Sequence, residues 1–478
     1  MSGENAGPSG QPDFAAVFAH FSAGLKIEHL PPAAIDAVKT NLTDTMACAM
    51  AGWSADGVQQ VAKLAMDWGG KPQASIWCTG DRIPAHHAAW VNGMMAHARD
   101  YDDTHDLAVL HAGVSVVPAA VAAAELSGDA TGADLICGIA AGLELVCRLG
   151  LATKVNIIES GFMYTSLFGH FAATVAAARV LCLDAAQTAN ALGVAHSQAA
   201  GTHQVSRDGA LTKRMQPGFA AQTGIVSALL SKAGINGTIN TFEGIDGLYR
   251  THFRNAYDPS VLRSALGDKF EFVGLSYKPY PCCRLAHAGI DAALRLYPRI
   301  AGRSEEIDDI EVRVNRQAFE AVCTPAAMRA APATVVQAQF SLPYTIAWSL
   351  VHGTIGLDAF TADGLRDEAV ARIAPRVRCV VDEAIDRVSG RGVSPAAVTV
   401  SLDGNMFSEE VVTPRGGPDA LLTADDLNKK LADCMAFGGL TWPEDAAREV
   451  VRTVSALDGA RDIRRLLSAI TASPAKPA

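Results

Sequence analysis

The sequence predicts a mostly α protein, with a large all-helical domain and a smaller α+β domain inserted before the C-terminal helices. Apolar residues recur at three-to-four spacing from Phe14 to about Gly267, which is the period of a buried helix face. The alternation of apolar and polar residues that is typical of strands is clearest later, at Ile307–Val314. Helical spacing then returns at Thr423–Phe437 and Asp445–Ile470, so the last helices are expected to rejoin the first block.

The first block shows the helical pattern most clearly. Pro31-Pro32 opens a helix, because proline fits the first helical turn. Its buried face carries Ile35, Val38, Leu42 and Met46. The same spacing predicts helices over Ser115–Glu125, Gly132–Leu149, Thr165–Leu183, Ala185–Ala199 and Gly218–Lys232, and Ala74–Thr79 is a strand candidate.

The α+β region is predicted from a change of pattern near Phe272. Val398–Leu402 and Ser408–Thr413 form a strand pair joined by Asp403-Gly404-Asn405, a turn signature. Helices are predicted over Val335–Leu350 and Ala362–Val370. The resulting domains cover 13–271, 272–417 and 418–471, the first and third forming one helical unit. The Gly-, Pro- and Ser-rich ends, 1–12 and 472–478, are expected to be flexible.

Composition excludes several classes of protein. The net charge of −10 disfavours nucleic acid or an anionic membrane as the main partner. Apolar runs such as Pro118–Leu126 and Phe171–Leu183 are too short or too interrupted to span a bilayer, and the N-terminus has no secretory pattern, so a cytoplasmic location is expected. The ten cysteines form no C-x-x-C pair, which disfavours zinc and iron–sulfur sites and favours reduced, buried thiols.

The densest polar cluster runs from His97 to Asp106, with His111 just beyond. If the preceding helix continues, His97, Asp100 and Thr104 share one face and could hold a base with its orienting partners. The alternative is that these residues cap a helix end and a loop. The letters Asp102-Asp103-Thr104-His105-Asp106 also spell D-D-x-x-D, the magnesium motif of prenyl-diphosphate and terpene synthases. The second metal motif of those enzymes is missing from the sequence.

Two basic segments follow. Lys213 and Arg214 precede Pro217-Gly218, where an apolar helix is predicted to begin, and a helix N-terminus beside cations suits a carboxylate. Lys278 and Arg284 flank a proline-stiffened stretch, and a lysine among apolar and cationic neighbours can act as a base if its pKa falls. The first segment could instead be a solvated basic turn.

Together these motifs resemble the MmgE/PrpD family. The resemblance rests on N-G-x-x-x-H-x-x-D-Y-D-D-T-H at 92–105, His111, T-K-R-x-x-P-G at 212–218 and K-P-Y-P-C-C-R at 278–284, in the family's order. The family includes 2-methylcitrate dehydratase, cis-aconitate decarboxylase and iminodisuccinate epimerase. The resemblance implies a helical domain with a smaller α+β lid, a homodimer, an active site between the domains, and no metal or organic cofactor.

The resemblance also implies the site residues. They are Asp100, Thr104, His111, Lys213, Lys278 and Tyr344, the last within Phe340-Ser-Leu-Pro-Tyr344. Two positions depart from the family pattern, because Met163 and Gln216 stand where many relatives have histidine. Methionine neither transfers a proton nor holds a carboxylate, so a different or less charged substrate is expected. His97, Met163, Gln216, Lys213 and Arg284 are expected to contact the substrate.

The predicted function is that of a cofactor-independent lyase that removes a proton next to a carboxylate of a small di- or tricarboxylic acid. Lys213, Lys278 and Arg284 would hold carboxylates, His111 would serve as acid or base oriented by Asp100 and Thr104, and Tyr344 would arrive with the lid. Dehydration of the 2-methylcitrate type is the first choice. Epimerisation of an iminodisuccinate-like substrate and decarboxylation of the aconitate type use the same groups. A D-D-x-x-D synthase and a non-enzymatic helical scaffold are the remaining alternatives.

Overall fold

The computed structural model describes residues 11–389 and 393–472. Nearly all of the predicted flexible ends, 1–12 and 472–478, therefore lies outside the described residues. The described chain is mostly helical, with two small sheets, as the sequence predicts.

The N-terminal helical block begins where the sequence places it. Asp13 caps the first helix by accepting a hydrogen bond from Ala15 N, and Pro32 begins the second. The helices are α1 Phe14–Gly24, α2 Pro32–Gly52, α3 Val58–Trp68, α4 Ala85–His97, α5 Gly113–Ser127, α6 Gly132–Ala152, α7 Ile157–Ser160, α8 Tyr164–Val180, α9 Ala185–His196, α10 Gln204–Arg207, α11 Thr212–Lys232, α12 Leu248–Phe253 and α13 Pro259–Arg263. Strands β1 Ala74–Ser75 and β2 Arg82–Ile83 pair antiparallel, so the predicted strand over 74–79 shortens to two residues.

The α+β region follows. Its helices are α14 His287–Ile300, α15 Arg316–Ala318, α16 Ala326–Ala330, α17 Val335–Gln339, α18 Leu342–His352, α19 Glu368–Ile373 and α20 Glu383–Ser389. Its strands are β3 Ile307–Val314, β4 Val377–Val381, β5 Ala396–Leu402 and β6 Asn405–Val411. The C-terminal helices are α21 Ala424–Phe437, α22 Ala446–Ser455 and α23 Arg464–Ala469. Short 3-10 segments lie at 27–29, 271–274, 284–286, 304–306, 357–360, 364–366, 374–376 and 457–459, and a π-helical turn at 319–323.

The larger sheet has the strand order β4-β3-β5-β6. β3 pairs parallel with β4 and antiparallel with β5, and β5 with β6 forms the predicted hairpin. The turn is two residues long, because Leu402 pairs directly with Asn405. Asp403 and Gly404 take positive φ angles of 50° and 75°, as Asp-Gly does in tight hairpins.

Two hydrophobic cores organise the described chain. The first takes side chains from Phe14 to Tyr277 and again from Leu431 to Ile470, with Leu357 joining them. The second takes side chains from Tyr280 to Val411. The proposed domain boundaries at 271/272 and 417/418 stay predictions. α6 is long and apolar enough to cross a membrane, but 94% of its apolar window is buried inside the molecule, as in the core helix of a soluble protein.

Glycines bring α4 and α11 unusually close together. A Cβ built on Gly218 would lie 2.4 Å from the Trp90 carbonyl oxygen, and one on Gly93 would lie 2.9 Å from the Gly218 Cα. Any larger residue would push the helices apart. This close approach places His97, at the end of α4, beside Lys213 in the first turn of α11, and both are predicted site residues.

Candidate active site

Asp100 lies between two lysines just beyond the end of α4. Its Oδ2 accepts a hydrogen bond from Lys213 Nζ at 2.9 Å, and its Oδ1 accepts one from Lys278 Nζ at 2.6 Å. Lys278 also donates to the Asp100 carbonyl at 2.7 Å. All three side chains are buried. The φ of Asp100 is 52°, an unusual value for a residue other than glycine, and these bonds hold it there.

The electrostatics of this triad favour the charged forms. Burial raises the pKa of Asp100, but Lys213 and Lys278 outweigh it and hold that pKa well below its usual range. Burial lowers the pKa of Lys278, but Asp100 and Asp102 outweigh it and raise that pKa. The lowered pKa that a lysine base needs is therefore not found at Lys278, which acts here as a fixed cation.

Asp102 holds two imidazoles behind this triad. His97 Nδ1 lies 2.9 Å from Asp102 Oδ2 as a hydrogen bond. His111 Nδ1 lies 2.9 Å from the same oxygen, but its alignment is not that of a hydrogen bond, so the contact is that of an ion pair when His111 is protonated. The two rings meet edge to face with centroids 4.8 Å apart. Burial raises the pKa of Asp102, but His111 and His97 outweigh it and keep that pKa well below its usual value.

The tautomer of His97 follows from its partners. Lys213 Nζ lies 3.2 Å from His97 Nε2, and an ammonium group can only donate. Nε2 therefore accepts, and the ring proton lies on Nδ1, which donates to Asp102. Burial and Lys213 outweigh the attraction of Asp102 and lower the pKa of His97 to about 4, so the ring is neutral near pH 7.

The orientation of His111 differs from the sequence expectation. The sequence assigned that task to Asp100 and Thr104, whereas the structure gives it to Asp102. The argument that His97, Asp100 and Thr104 share a helix face is also wrong, because α4 ends at His97 and the chain turns away. These side chains meet because the loop over 98–112 folds back over α11 and the segment around Ser276, not because of helical spacing.

Thr104 belongs to a second polar group at the cavity. Its Oγ1 donates to Asp106 Oδ1 at 2.9 Å, and Ser276 Oγ donates to Asp106 Oδ2 at 2.7 Å. Arg284 Nε lies 3.5 Å from Asp106 Oδ1. Arg284 is buried, and this Nε has no hydrogen-bond partner among the residues that the structure describes, which leaves it a donor for a ligand.

The D-D-x-x-D hypothesis is wrong for this fold. Asp102 contacts two histidines, whereas Asp103 caps α5 by accepting hydrogen bonds from Ala112 N at 2.9 Å and Gly113 N at 3.0 Å. Asp106 accepts from two hydroxyl groups. The three carboxylates point to different places, so they cannot share magnesium ions on a diphosphate.

These groups surround a cavity, of which about 120 Å³ is open to the centres of water molecules. Its charged and polar wall includes Asp100, Thr104, Asp106, His111, Lys213, Lys278 and Arg284. Met163 lies in the same cavity lining. Seven of the ten predicted site residues, Met163 among them, therefore converge on one space, together with Asp106.

Three predicted residues do not line this cavity. His97 lies behind Lys213 and Asp102. Gln216 turns towards a neighbouring loop, where its Nε2 donates to Thr202 O at 3.1 Å. Tyr344 donates its hydroxyl to Ala359 O at 2.6 Å and packs against Trp348 and Phe360 in the second core. The roles predicted for these three residues stay predictions. The positions of Tyr344 and Gln216 do not support direct contact with a bound substrate.

Sequence reasoning missed several residues of the site. His203, Ser206 and Phe340 line the cavity. Burial, with Arg207 and Lys213, lowers the pKa of His203 to about 4, and its buried Nδ1 has no partner among the described residues. His203 lies in a polar loop without periodicity, so no sequence signal marked it. The Phe340 ring centroid is 4.9 Å from Lys213 Nζ, a cation–π contact.

Lys430 on α21 supports the loop from behind. Its Nζ donates to Asp44 Oδ1 at 2.6 Å, to Tyr101 O at 2.7 Å and to Lys278 O at 3.1 Å. One buried ammonium group therefore ties α2, the loop after α4 and the Lys278 segment together. The amphipathic spacing of α21 predicts its helix but does not mark this buried cation.

Among the described residues, one group of side chains has the composition of a metal site. The ligand atoms of His97, Asp102 and His111 all lie within 4.8 Å of one another. Both Nδ1 atoms, however, lie 2.9 Å from a single carboxylate oxygen. That separation is typical of a direct imidazole–carboxylate contact, and an ion at about 2.0–2.2 Å from each atom would have to open it.

The buried histidines predict a loss of stability in acid. The folded protein keeps His97 neutral down to pH about 4, whereas the unfolded chain takes up that proton near its ordinary pKa of 6.5. The neutral His97 therefore contributes fully to the free energy of unfolding above pH 6.5. About 3 kcal/mol of that free energy is lost as the pH falls to about 4. Urea unfolding between pH 7.5 and 4.5 measures it. His97→Gln, which keeps a donor and an acceptor, should reduce the acid loss, and an unchanged slope would contradict this assignment.

Comparison with known proteins finds similarity to MmgE/PrpD domain models and to cis-aconitate decarboxylases. The model of the MmgE/PrpD N-terminal domain matches residues 16–259, and that of the C-terminal domain matches residues 280–456. A cis-aconitate decarboxylase-like protein, oryM, of Aspergillus oryzae is 26% identical, over 94% of this chain and 95% of its own. Cis-aconitate decarboxylases of Aspergillus terreus and Homo sapiens are each 24% identical, the first over 100% of both chains and the second over 96% of this chain and 95% of its own.

Proposed function

The chain belongs to the MmgE/PrpD family of lyases, and we propose that it is a cofactor-independent decarboxylase of a small unsaturated carboxylic acid with at least two carboxylates. One observation carries the proposal. Lys213, Lys278 and Arg284 line the same cavity as His111, so cations and a group able to transfer a proton face one bound molecule. Decarboxylation is preferred to the dehydration expected from the sequence because the similar proteins carry the name cis-aconitate decarboxylase.

The proposed reaction is a decarboxylation with migration of a double bond. The bond between the departing carboxylate and its carbon breaks, and its electron pair forms a new carbon–carbon double bond. The pair of the old double bond takes a proton at the carbon next to the remaining carboxylate. CO₂ leaves, and the proton comes from His111, which regains one from solvent.

The residues divide this work by their chemistry. Arg284 offers its unpaired Nε to the remaining carboxylate, where negative charge grows as CO₂ departs. Asp100 fixes the two lysine ammonium groups at the cavity, so little reorganisation is needed when that charge appears. Asp102 orients the His111 ring, with its Oδ2 2.9 Å from His111 Nδ1.

The test is a ¹H NMR assay in D₂O, with and without EDTA. Purified protein is incubated with cis-aconitate, cis-3-alkylglutaconates, citrate, methylcitrate, tartrate and N-substituted aspartates. We expect deuterium next to a carboxylate and new terminal vinylidene signals, both undiminished by EDTA. Vinyl signals with loss of hydroxyl would identify a dehydratase, and inverted configuration on an unchanged skeleton an epimerase. Turnover that EDTA abolishes, or no exchange with any member, would overturn the proposal.

We also propose that the protein is a homodimer, as the family resemblance implies. Exposed aromatic side chains on α3 and α11 support this, since Trp68 and Phe219 are exposed and each stacks on the buried ring of Trp90, with centroids 5.8 Å and 5.7 Å away. Light scattering should give about twice the chain mass of 50.0 kDa. Phe219→Lys should shift the dimer towards monomer, whereas Met406→Lys, at an exposed position on β6, should not. A monomeric wild-type protein would refute the dimer.

A cytoplasmic location is proposed on the state of the thiols. All ten cysteines are free, and seven are buried. Unpaired buried thiols persist in reducing compartments. Fractionation of cells that express the full chain tests the location, and recovery outside the cytoplasm would contradict it.

A further inference from the structure

Part of the lining of the active-site cavity is apolar. Val109, Ile158, Met163 and Phe340 line it, and in the described chain none of the four belongs to either hydrophobic core or packs against one. Their chain neighbours Leu110 and Tyr164 are core residues. Apolar side chains that the cores do not use are typical of a ligand-binding wall.

The backbone fixes this wall in place. Val109 has a φ of 56°, a costly value for a β-branched residue, and its N–H donates to His105 O at 2.8 Å. Met163 is held between Gly201, whose carbonyl accepts its N–H at 3.2 Å, and the first turn of α8. Only 8% of Met163 is exposed. These side chains are therefore preformed parts of the cavity and not mobile surface groups.

The charges that line the cavity are nearly balanced before a ligand enters. Three cations, Lys213, Lys278 and Arg284, line it. Two carboxylates oppose them directly, Asp100 at the lysines and Asp106 at the arginine. The surplus is one positive charge, because Asp102 lies 2.9 Å from His111 Nδ1 and offsets a protonated His111. Each ligand carboxylate beyond the first adds negative charge to a buried space without surplus positive charge, so a third carboxylate is disfavoured more than a second.

From the apolar wall and this charge balance, we infer that the preferred substrate is a dicarboxylate carrying an alkyl group, which lies against Met163 and Ile158, and not a tricarboxylate. The inference rests on the proposed decarboxylation and names its substrate class. The two carboxylates lie at Lys213, Lys278 and Arg284, and the alkyl group takes the place of a third carboxylate that would add further negative charge. The alkyl group fills the space lined by side chains that no core covers. Phe340 connects the apolar and the cationic lining residues, since its ring centroid lies 4.9 Å from Lys213 Nζ.

The test compares cis-aconitate with analogues in which an alkyl group replaces its central carboxylate. These are cis-3-methylglutaconate and cis-3-propylglutaconate, and all three can lose CO₂ by the same bond changes. The propyl compound buries two more methylene groups than the methyl compound, and each is worth about fourfold in affinity, so kcat/KM should rise about fifteenfold. Both alkyl compounds should exceed cis-aconitate.

Two variants at one position separate specificity from folding. Met163→His places an imidazole in the apolar wall and should lower the ratio of propyl compound to cis-aconitate by about tenfold or more. Met163→Leu keeps the wall apolar with similar volume and should keep that ratio within about threefold of the wild type. Equal melting temperatures would show that both variants fold.

The outcomes distinguish this inference from the proposed function. Decarboxylation of cis-aconitate in preference to both alkyl compounds would overturn the inference and leave the function standing. Equal ratios in Met163→His and Met163→Leu would also overturn it. No CO₂ release and no deuterium exchange with any of the three would overturn the proposed function itself.

Discussion

Asp100→Asn should reduce the free energy of unfolding by about 3–5 kcal/mol and abolish measurable turnover. The amide keeps the shape of the carboxylate but removes the negative charge that lies 2.9 Å from Lys213 and 2.6 Å from Lys278. Two buried ammonium groups would then face each other without a counter-charge, and one must lose its proton or pull in water. Urea unfolding at pH 7.5 measures the stability change, and the NMR assay measures turnover.

The matched control is a carboxylate in a salt bridge at the protein surface. Asp458 lies 2.6 Å from Lys39 and its side chain is 49% exposed, so Asp458→Asn should change stability by less than about 1 kcal/mol and leave turnover intact. Combining Asp100→Asn with Lys213→Met should recover part of the lost stability, though not activity, because it removes one of the stranded charges. Equal stability of Asp100→Asn and the wild type would show that the lysines do not depend on this carboxylate.

His111→Asn should lower kcat by about 10²–10⁴-fold with little loss of stability. The ring is proposed to deliver the proton, and asparagine cannot replace it in that role. Its side chain is 15% exposed at the cavity, and so its removal leaves no large void in a core. The measurements are kcat and the rate of deuterium incorporation, which should fall together, while KM changes less.

His352 provides the control for this variant. It too is a partly exposed histidine with a carboxylate oxygen 2.9 Å away, on Asp367, but it lies at the end of α18 and outside the cavity lining. His352→Asn should leave kcat within about twofold of the wild type, as expected for a surface pair. A His111→Asn enzyme with wild-type kcat would remove His111 from the proposed mechanism.

Much of the fold follows from local sequence patterns, and the departures have local reasons. The predicted start of α11 at Gly218 is wrong, because the helix begins at Thr212 and tolerates Pro217 within its second turn. The predicted helix over 335–350 breaks where Ser341 caps α18, accepting from Tyr344 N at 3.0 Å. The sequence does not predict strand β4, because it lies at a sheet edge, where Val377 is the single buried residue of the strand and the alternation is weak.

The candidate site was harder to predict, because its geometry depends on residues distant in sequence. Motif resemblance places Asp100, Lys213 and Lys278 in one site, and the structure brings them together. Asp100 lies 113 positions before Lys213 and 178 positions before Lys278. It could not indicate that Asp102 holds both histidines, since two adjacent aspartates offer the same chemistry until the loop is folded. Neither could it place the Tyr344 hydroxyl, whose direction is set by the carbonyl group of Ala359 in the second core.

The Lys430 contacts have a consequence for biosynthesis. Asp44 is translated 386 positions before Lys430, the lysine that neutralises it. Asp100 is likewise translated before Lys278, one of its two lysine partners. A ribosome-bound chain that ends before α21 therefore exposes buried acids without their counter-charges. Premature termination or C-terminal clipping should yield an inactive and poorly soluble product, and the enzyme should gain activity only after release of the whole polypeptide.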